Sequence, residues 1–101
     1  MELSLKGKTA LITGAGAGIG LACAEYFVAA GADVAICDVE QDRLDEALVK
    51  LTKLGGKHYG QRGDVASADA VASFFANSLQ ALGSLDLVLN NAGVGAPLVP
   101  L

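Results

Sequence analysis

Residues 13 to 20 read Thr13-Gly14-Ala15-Gly16-Ala17-Gly18-Ile19-Gly20 and directly follow the apolar run Thr9-Ala10-Leu11-Ile12. The apolar run predicts a buried strand, and the pattern from Gly18 to Ala30 predicts a helix. Glycines between a strand and a helix permit positive φ angles and let a ligand approach the backbone closely. The N-terminus of the helix presents free N–H groups and the positive end of the helix dipole. The stretch therefore predicts a pyrophosphate-binding turn.

The glycine spacing separates this turn from two common phosphate-binding motifs. It is not G-x-G-x-x-G, because position 19 is Ile. It is not a P-loop either, because no Gly-Lys-Ser/Thr closes the glycine loop between the strand and the helix. A tight strand–helix turn without any ligand is the alternative. The five residues from Gly14 to Gly18 are all Gly or Ala, which favours the binding interpretation.

Apolar strands and amphipathic helices alternate along the rest of the chain. We predict further strands at 34–37, 58–62 and 85–89, and helices at 41–54 and from the capping residue Ser67 to Leu82. In the first helix we expect Ile19, Cys23, Tyr26, Phe27 and Ala30 to share the apolar side. The order β-α-β-α-β-α-β predicts an α/β fold: a Rossmann-like, doubly wound parallel sheet of four strands, covered by helices on both faces.

Asp38 closes the second predicted strand, 18 residues after Gly20. An acidic side chain near this offset meets the adenosine ribose in dinucleotide-binding folds, where it accepts hydrogen bonds from the diol and repels a 2′-phosphate. Neither Ala17 nor Val39 is a basic residue that could bind such a phosphate. We therefore expect NAD(H) to be preferred over NADP(H). The alternative is that Asp38 only caps the helix beginning near Gln41.

Composition bounds the class of protein. The 101 residues suit a single domain, and the net charge of -4, from 7 Lys+Arg against 11 Asp+Glu, argues against nucleic acid or an anionic membrane surface as partner. We see no run of about 18 apolar residues and no signal-peptide core, so we expect a cytoplasmic protein. Cys23 and Cys37 lack metal-site spacing and are expected to be reduced thiols.

Hydrophobic residues make up 52% of the chain and charged residues only 18%, less than the roughly 25% of an average domain. Two interpretations stay open. The chain is either an Ala-rich but otherwise ordinary domain, or a domain whose faces are covered by a further segment or partner.

Four motifs together resemble the short-chain dehydrogenase/reductase family. The glycine stretch is similar to its T-G-x-x-x-G-x-G motif, and Asp64-Val65 to the acidic-hydrophobic pair that ends its third strand. Asn90-Asn91-Ala92-Gly93 looks like the N-N-A-G sequence after its fourth strand, with Asp86 at the expected upstream position. The motifs occur in the family's order and cover nearly the whole chain, from residue 1 to 101, as its NAD(P)-binding Rossmann-like portion.

The resemblance implies a role for each matching residue. Ala17, Gly18 and Ile19 would line the pyrophosphate within the turn that also contains Gly14, Gly16 and Gly20. Asp38 would hold the adenosine ribose, and Asp64 and Val65 would contact adenine. Asn91, Ala92 and Gly93 would pass beneath the nicotinamide ribose. Local alternatives are that Asp64 is a turn residue and that Asn90 and Asn91 satisfy backbone groups at the strand end.

The family's catalytic Ser, Tyr and Lys have no counterpart here. Tyr26 and Tyr59 are followed four positions later by Ala30 and Gly63, so neither forms the Tyr-x-x-x-Lys pair. We expect the chain to be truncated after strand four, where family members continue, and to be inactive by itself. A small alcohol or carbonyl substrate would need the C-terminal half, and family members are usually homo-oligomeric. The alternatives are a non-catalytic dinucleotide-binding module and a truncated inactive product.

Overall fold

Four strands and three helices alternate along residues 4–16 and 18–91, the part of the chain that the computed structural model describes. The β-α-β-α-β-α-β order predicted from the sequence is confirmed. The elements are β1 (Thr9–Thr13), α1 (Gly18–Ala29), β2 (Asp33–Asp38), α2 (Gln41–Leu54), β3 (His58–Arg62), α3 (Ala68–Leu82) and β4 (Leu87–Asn90).

The four strands form one parallel sheet in the order β3-β2-β1-β4. The first strand lies between its neighbours, with Thr9 opposite Asp33 of β2 and Ala10 opposite Leu87 of β4. Because all strands run in the same direction, their carboxyl ends and the loops that follow β1, β2 and β3 lie at one edge of the sheet. This edge brings together segments that are far apart in the sequence.

Helices cover both faces of the sheet, as a doubly wound fold requires. Ile12 and Ile36 are fully buried on one face, in a cluster with Ala24 of α1 and with Leu44 and Leu51 of α2. On the opposite face, a second cluster joins Leu11, Ala35 and Cys37 to Phe74 of α3. The Rossmann-like fold class is therefore confirmed.

The caps of α3 show why it begins and ends where the sequence predicts. Ser67 stands at the N-cap, and its hydroxyl accepts a hydrogen bond from the backbone N–H of Ala70 at 3.2 Å. Gly83 ends the helix with a φ of 86°, and its N–H donates to the carbonyl of Leu79 at 2.8 Å. A left-handed glycine is the usual terminator of a helix.

The apolar face predicted for α1 is wrong for Ile19 and Tyr26, although Phe27 is half-buried and packs against the core. The buried residues of the helix are Gly20, Leu21, Ala24 and Val28, whereas Ile19 is 74% exposed and Tyr26 is 59% exposed. Apolar residues surround this helix on every side, so periodicity alone does not distinguish the buried face. Small residues decide it, because a Cβ added to Gly20 would collide with the carbonyl oxygen of Gly14. The helix thus lies tight against the glycine turn.

Strand β4 begins at Leu87, two residues later than the predicted 85–89. Asp86 occupies the position before it and makes two contacts with the start of β1. Its backbone N–H donates to the carbonyl of Thr9 at 2.8 Å, and its carboxylate accepts from the N–H of Thr9 at 2.9 Å. The N–H of Thr9 thus bonds the Asp86 side chain instead of a backbone carbonyl. The regular backbone pairing of β1 with β4 starts one residue later, at Leu87.

Two further observations concern the expectations drawn from composition. Cys23 and Cys37 are both free thiols, the first half-buried and the second buried. Among the helices in 4–16 and 18–91, we find none with the length and apolar character to cross a bilayer.

Candidate functional site

Chemically distinctive residues of the sequence collect at the carboxyl edge of the sheet. Gly14 follows β1, Asp38 ends β2, Asp64 lies two residues beyond β3, and Asn90 ends β4. In open α/β sheets, ligands bind outside the carboxyl ends of the strands, at the point where the strand order reverses. That point is here between β1 and β4, because β1 connects to β2 on one side and pairs with β4 on the other.

The glycine turn opens toward solvent at the start of α1. Gly14 and Gly18 have φ angles of 64° and 63°, which favour glycine. A Cβ added to Gly18 would meet no atom within 4 Å, and the neighbouring Ile19 is exposed. The first turn of α1 contains no acidic residue, so the positive end of its dipole is uncompensated. These features fit an anionic group such as pyrophosphate; Ala17 lies outside the described residues.

Gly16 and Gly20 face the protein interior. A Cβ on Gly16 would clash with the carboxylate of Asp38, lying 2.7 Å from its Cγ, and would lie 3.0 Å from the Cβ of Arg43. A Cβ on Gly20 would clash with the carbonyl of Gly14 and lie 2.7 Å from the amide nitrogen of Asn91. These two glycines permit close packing of the turn against the ends of β2 and β4.

Asp38 is 7% exposed, and both of its carboxylate oxygens are bonded. Oδ2 accepts from the N–H of Gly16 at 3.0 Å, and Oδ1 accepts from the N–H of Glu40 at 2.9 Å. The guanidinium Nη2 of Arg43 lies 3.4 Å from Oδ1. Since Glu40 is the N-cap of α2, Asp38 does support the start of that helix, as the alternative interpretation holds. A carboxylate offers about four acceptor sites, so the two N–H groups and the guanidinium do not use all of its acceptor capacity.

Asp64 and Val65 form a turn after β3. The Asp64 carboxylate accepts from the N–H of Ala66 at 2.9 Å, and its carbonyl accepts from the N–H of Ser67 at 3.0 Å. The turn interpretation of Asp64 is therefore confirmed, but the same residues also line a shallow depression of about 180 Å³, open mouth included. The depression is too shallow to enclose a water molecule. The other lining residues are Cys37, Gln61, Gly63, Ala70, Val71 and Phe74.

The asparagines after β4 connect that strand to β1. The hydroxyl of Thr13 donates to Oδ1 of Asn90 at 2.9 Å and accepts from the backbone N–H of Asn91 at 3.0 Å. The side-chain amide of Asn91 donates to the carbonyl of Gly14 at 3.4 Å. The Asn91 side chain thus satisfies a backbone carbonyl beside the strand end, as the local alternative predicts, whereas the Asn90 side chain bonds a side-chain hydroxyl of β1. Ala92 and Gly93 lie outside the described residues.

Cys37 lies at the base of the depression and remains protonated at neutral pH. Burial raises the pKa of its thiol above the ordinary value of 9.0. A backbone hydrogen bond from Gly14 lowers the pKa, and the nearby charge of Asp38 raises it. A protonated, buried thiol is a poor nucleophile, so we assign Cys37 a packing role.

Sequence reasoning missed two features of this edge. One is Arg43, which lies on the solvent-exposed side of α2, where any surface-charged residue would be expected. The other is a polar cluster around Gln61, whose Oε1 accepts from the hydroxyl of Tyr59 at 2.7 Å and from the amide of Asn77 at 2.9 Å. Its Nε2 donates to the hydroxyl of Ser73 at 3.2 Å. The alternation of Tyr59 and Gln61 on one face of β3 is the sequence signal that could have indicated it.

Comparison with protein families places these residues in a known context. A family model described as short chain dehydrogenase matches residues 8–100. The 7α-hydroxysteroid dehydrogenase of Escherichia coli strain K12 is 39% identical over 96 residues, which are 95% of this chain and 38% of that protein. The 2,5-dichloro-2,5-cyclohexadiene-1,4-diol dehydrogenase of Sphingobium indicum is 42% identical over 97 residues, 96% of this chain and 38% of that protein.

Solved structures give the same result for the fold. A structure of 7α-hydroxysteroid dehydrogenase complexed with NADH and 7-oxo glycochenodeoxycholic acid superposes with a TM-score of 0.89 at 38% identity, covering 95% of this chain and 38% of that one. A structure of NAD⁺-bound xylitol dehydrogenase superposes with a TM-score of 0.85 at 32% identity, covering 88% and 34%. The chain thus spans between 34% and 38% of the length of these four relatives.

Proposed function

The chain belongs to the short-chain dehydrogenase family, and from that premise we propose that residues 1–101 are the cofactor-binding part of an NAD-dependent oxidoreductase. The whole protein would interconvert a small alcohol and the corresponding carbonyl compound. The observation that carries the proposal is the junction of the glycine turn with Asp38, where an uncompensated helix N-terminus lies beside a carboxylate bonded to Gly16. An anion site next to a diol acceptor is what a dinucleotide requires.

Each part of the cofactor has a candidate binding segment. Gly14, Gly16, Ala17, Gly18, Ile19 and Gly20 form the turn for the pyrophosphate, supported by the open space in front of Gly18. Asp38 accepts the hydroxyls of the adenosine ribose. Asp64 and Val65 border the depression across which adenine would lie. Asn91, Ala92 and Gly93 are proposed for the nicotinamide ribose on family resemblance.

The residues of this chain bind and orient the cofactor, and they do not supply proton transfer. When bound, the nicotinamide ring provides the hydride chemistry. A hydroxyl-to-carbonyl reaction also needs a positioned acid or base, and neither Tyr26 nor Tyr59 has the required lysine four residues later. We therefore propose that residues 1–101 alone do not catalyse the oxidation of an alcohol or the reduction of a carbonyl compound. Reproducible reduction of NAD⁺ by the purified 101-residue chain with any alcohol would contradict this.

We further propose that the protein acts in the cytoplasm. We also propose that it is a homo-oligomer, as the family resemblance implies. A sedimentation measurement on the purified protein tests the second point.

A charge reversal in the turn tests cofactor binding directly. In Ile19→Glu, an exposed residue in the first turn of α1 becomes a carboxylate where the pyrophosphate would lie. An acidic residue at this position favours the helix, so the fold should be retained. We expect the Kd for NADH, measured by fluorescence titration, to rise by about tenfold or more because of charge repulsion. Ile19→Gln, similar in size but neutral, is the matched control and should change the Kd much less. Equal affinities in both variants and the wild type would refute the proposal.

A further inference from the structure

Arg43 is a charged group at the carboxyl edge that the proposed function leaves unused. It is the third residue of α2, its side chain is 50% exposed, and its Nη2 lies 3.4 Å from Oδ1 of Asp38. The base of this side chain lies close to the glycine turn, because a Cβ added to Gly16 would lie 3.0 Å from the Cβ of Arg43. Asp38 therefore contacts both the turn, through the N–H of Gly16, and the guanidinium of Arg43.

The contact with Arg43 weakens the repulsion that Asp38 exerts on the 2′-phosphate of NADP(H). An isolated carboxylate at the end of β2 repels a 2′-phosphate, since the two charges have the same sign. A carboxylate paired with a guanidinium presents a smaller net charge to the same phosphate. Asp38 is almost fully buried while Arg43 is half exposed, so the positive member of the pair is the one that faces an incoming ligand.

The guanidinium also has donors to spare. Arginine carries five N–H donors in a planar fork that suits phosphate oxygens. One nitrogen approaches Asp38 and half of the side chain is open to solvent, so further N–H groups are accessible. Since α2 starts at Gln41, three residues after Asp38, these donors lie at the same edge of the sheet as the carboxylate that we propose for the ribose.

We propose that Arg43 is a second determinant of cofactor selectivity, one that donates to the 2′-phosphate of NADP(H) beside Asp38. The protein then binds NADH more tightly than NADPH, but the ratio of the two Kd values is smaller than it would be with Asp38 and without Arg43. This inference rests on the proposed function, because it concerns the same ribose subsite.

The experiment compares NADH and NADPH binding by the purified wild-type protein and by Arg43→Gln. Loss of a charge-assisted contact should raise the Kd for NADPH about tenfold, while the Kd for NADH changes by less than about threefold. The salt dependence of NADPH binding should weaken as well, because one ion pair is removed.

Arg62→Gln is the matched control. Arg62 ends β3 opposite Asp38 in the sheet register, and its Nε donates to the carbonyl of Val39 at 3.1 Å. The variant removes the same charge from the same edge without touching the carboxylate. Only Arg43→Gln should change the ratio of the two Kd values markedly.

Three outcomes overturn the inference. An equal loss of both cofactors in Arg43→Gln would show that Arg43 only holds Asp38 in place. An unchanged ratio would show no contact with the phosphate, and an equal effect of Arg62→Gln would point to the general charge of the edge. The proposed function fails separately: a wild-type protein that binds neither cofactor refutes both, whereas NADH binding with an unchanged ratio refutes only the role of Arg43.

Discussion

The backbone N–H of Gly16 donates to Oδ2 of Asp38 at 3.0 Å, and this bond joins the glycine turn to the end of β2. The segments that we propose for the pyrophosphate and for the ribose are consequently joined directly to each other. A second link runs parallel to it, from the N–H of Ala15 to the carbonyl of Cys37 at 3.1 Å. Hydrogen bonds within the protein therefore fix the turn against the end of β2.

Gly16→Ala should disrupt this connection. The added Cβ would collide with the carboxylate of Asp38, which must rotate away and lose its bond to the turn. A hydrogen bond to a charged group contributes about 1.5–3 kcal/mol, so we expect NADH affinity to fall by about tenfold or more. Isothermal titration of NADH measures the effect.

Gly55→Ala controls for a general loss of stability. Gly55 follows α2 with a φ of 104°, where a side chain is strained, yet its Cβ would meet no atom within 4 Å. Thermal unfolding should show a lower Tm for this variant, while its affinity for NADH stays at the wild-type value. If Gly16→Ala also keeps the wild-type affinity, the coupling of turn and carboxylate is wrong.

Ser78→Ala should stabilise the protein. The hydroxyl of Ser78 is completely buried in α3 and has no hydrogen-bond partner within residues 4–16 and 18–91. Burying an unpaired hydroxyl costs about 1–3 kcal/mol, so its removal should raise the free energy of unfolding by about 1 kcal/mol. Urea denaturation provides the measurement.

Ser73→Ala, on the same helix, is the comparison for that result. Its exposed hydroxyl accepts hydrogen bonds from the amides of Gln61 and Asn77, each at 3.2 Å. The substitution should leave the stability unchanged or slightly lower. A loss of stability in Ser78→Ala would mean that its hydroxyl has a partner after all.

The buried thiol of Cys37 makes stability depend on alkaline pH. Its pKa is raised by burial above the ordinary 9.0, so the folded chain keeps this proton at a pH where the unfolded chain has lost it. The unfolded state then binds fewer protons, and the free energy of unfolding decreases as pH rises above about 9.0. Below that pH the thiol has no effect on the slope.

Denaturant unfolding at pH 8, 9 and 10 tests this titration in the wild type and in Cys37→Ala. The variant should lose part of the alkaline decline, although the cavity lowers its stability at every pH. Cys23→Ala makes the same chemical change at a half-buried position and serves as control. Parallel pH curves for Cys37→Ala and the wild type would exclude a contribution from this thiol.

The order of elements could be predicted because each strand and helix carries its own periodicity. The fourteen residues of α2 from Gln41 to Leu54 are an example: Leu44, Ala47 and Leu51 repeat at helical spacing and are all buried. Helix α1 shows the limit of the method. It has no polar side, so periodicity places Ile19 and Tyr26 on the buried face. Close packing against Gly14 buries a different face of the helix and leaves these two side chains exposed.

The candidate site was predictable where one motif lies on consecutive residues, as in the turn from Gly14 to Gly20. The contact between Arg43 and Asp38 was not, because it depends on how the first turn of α2 folds back over the end of β2. No local pattern marks a residue on the wet side of a helix as part of a site. For this contact the sequence offers only that Arg43 follows Asp38, the acidic residue at the end of β2, by five residues.

The most direct test of NAD recognition through Asp38 is to measure the Kd for NADH and for NADPH in the wild type and in Asp38→Ser. The wild type should bind NADH more tightly. Removal of the carboxylate should weaken NADH binding by about tenfold or more and strengthen NADPH binding, since Arg43 then has no internal partner in Asp38. The preference would thereby invert. If the wild type and the variant both bind NADPH more tightly, the assignment of Asp38 to the adenosine ribose of NAD is contradicted.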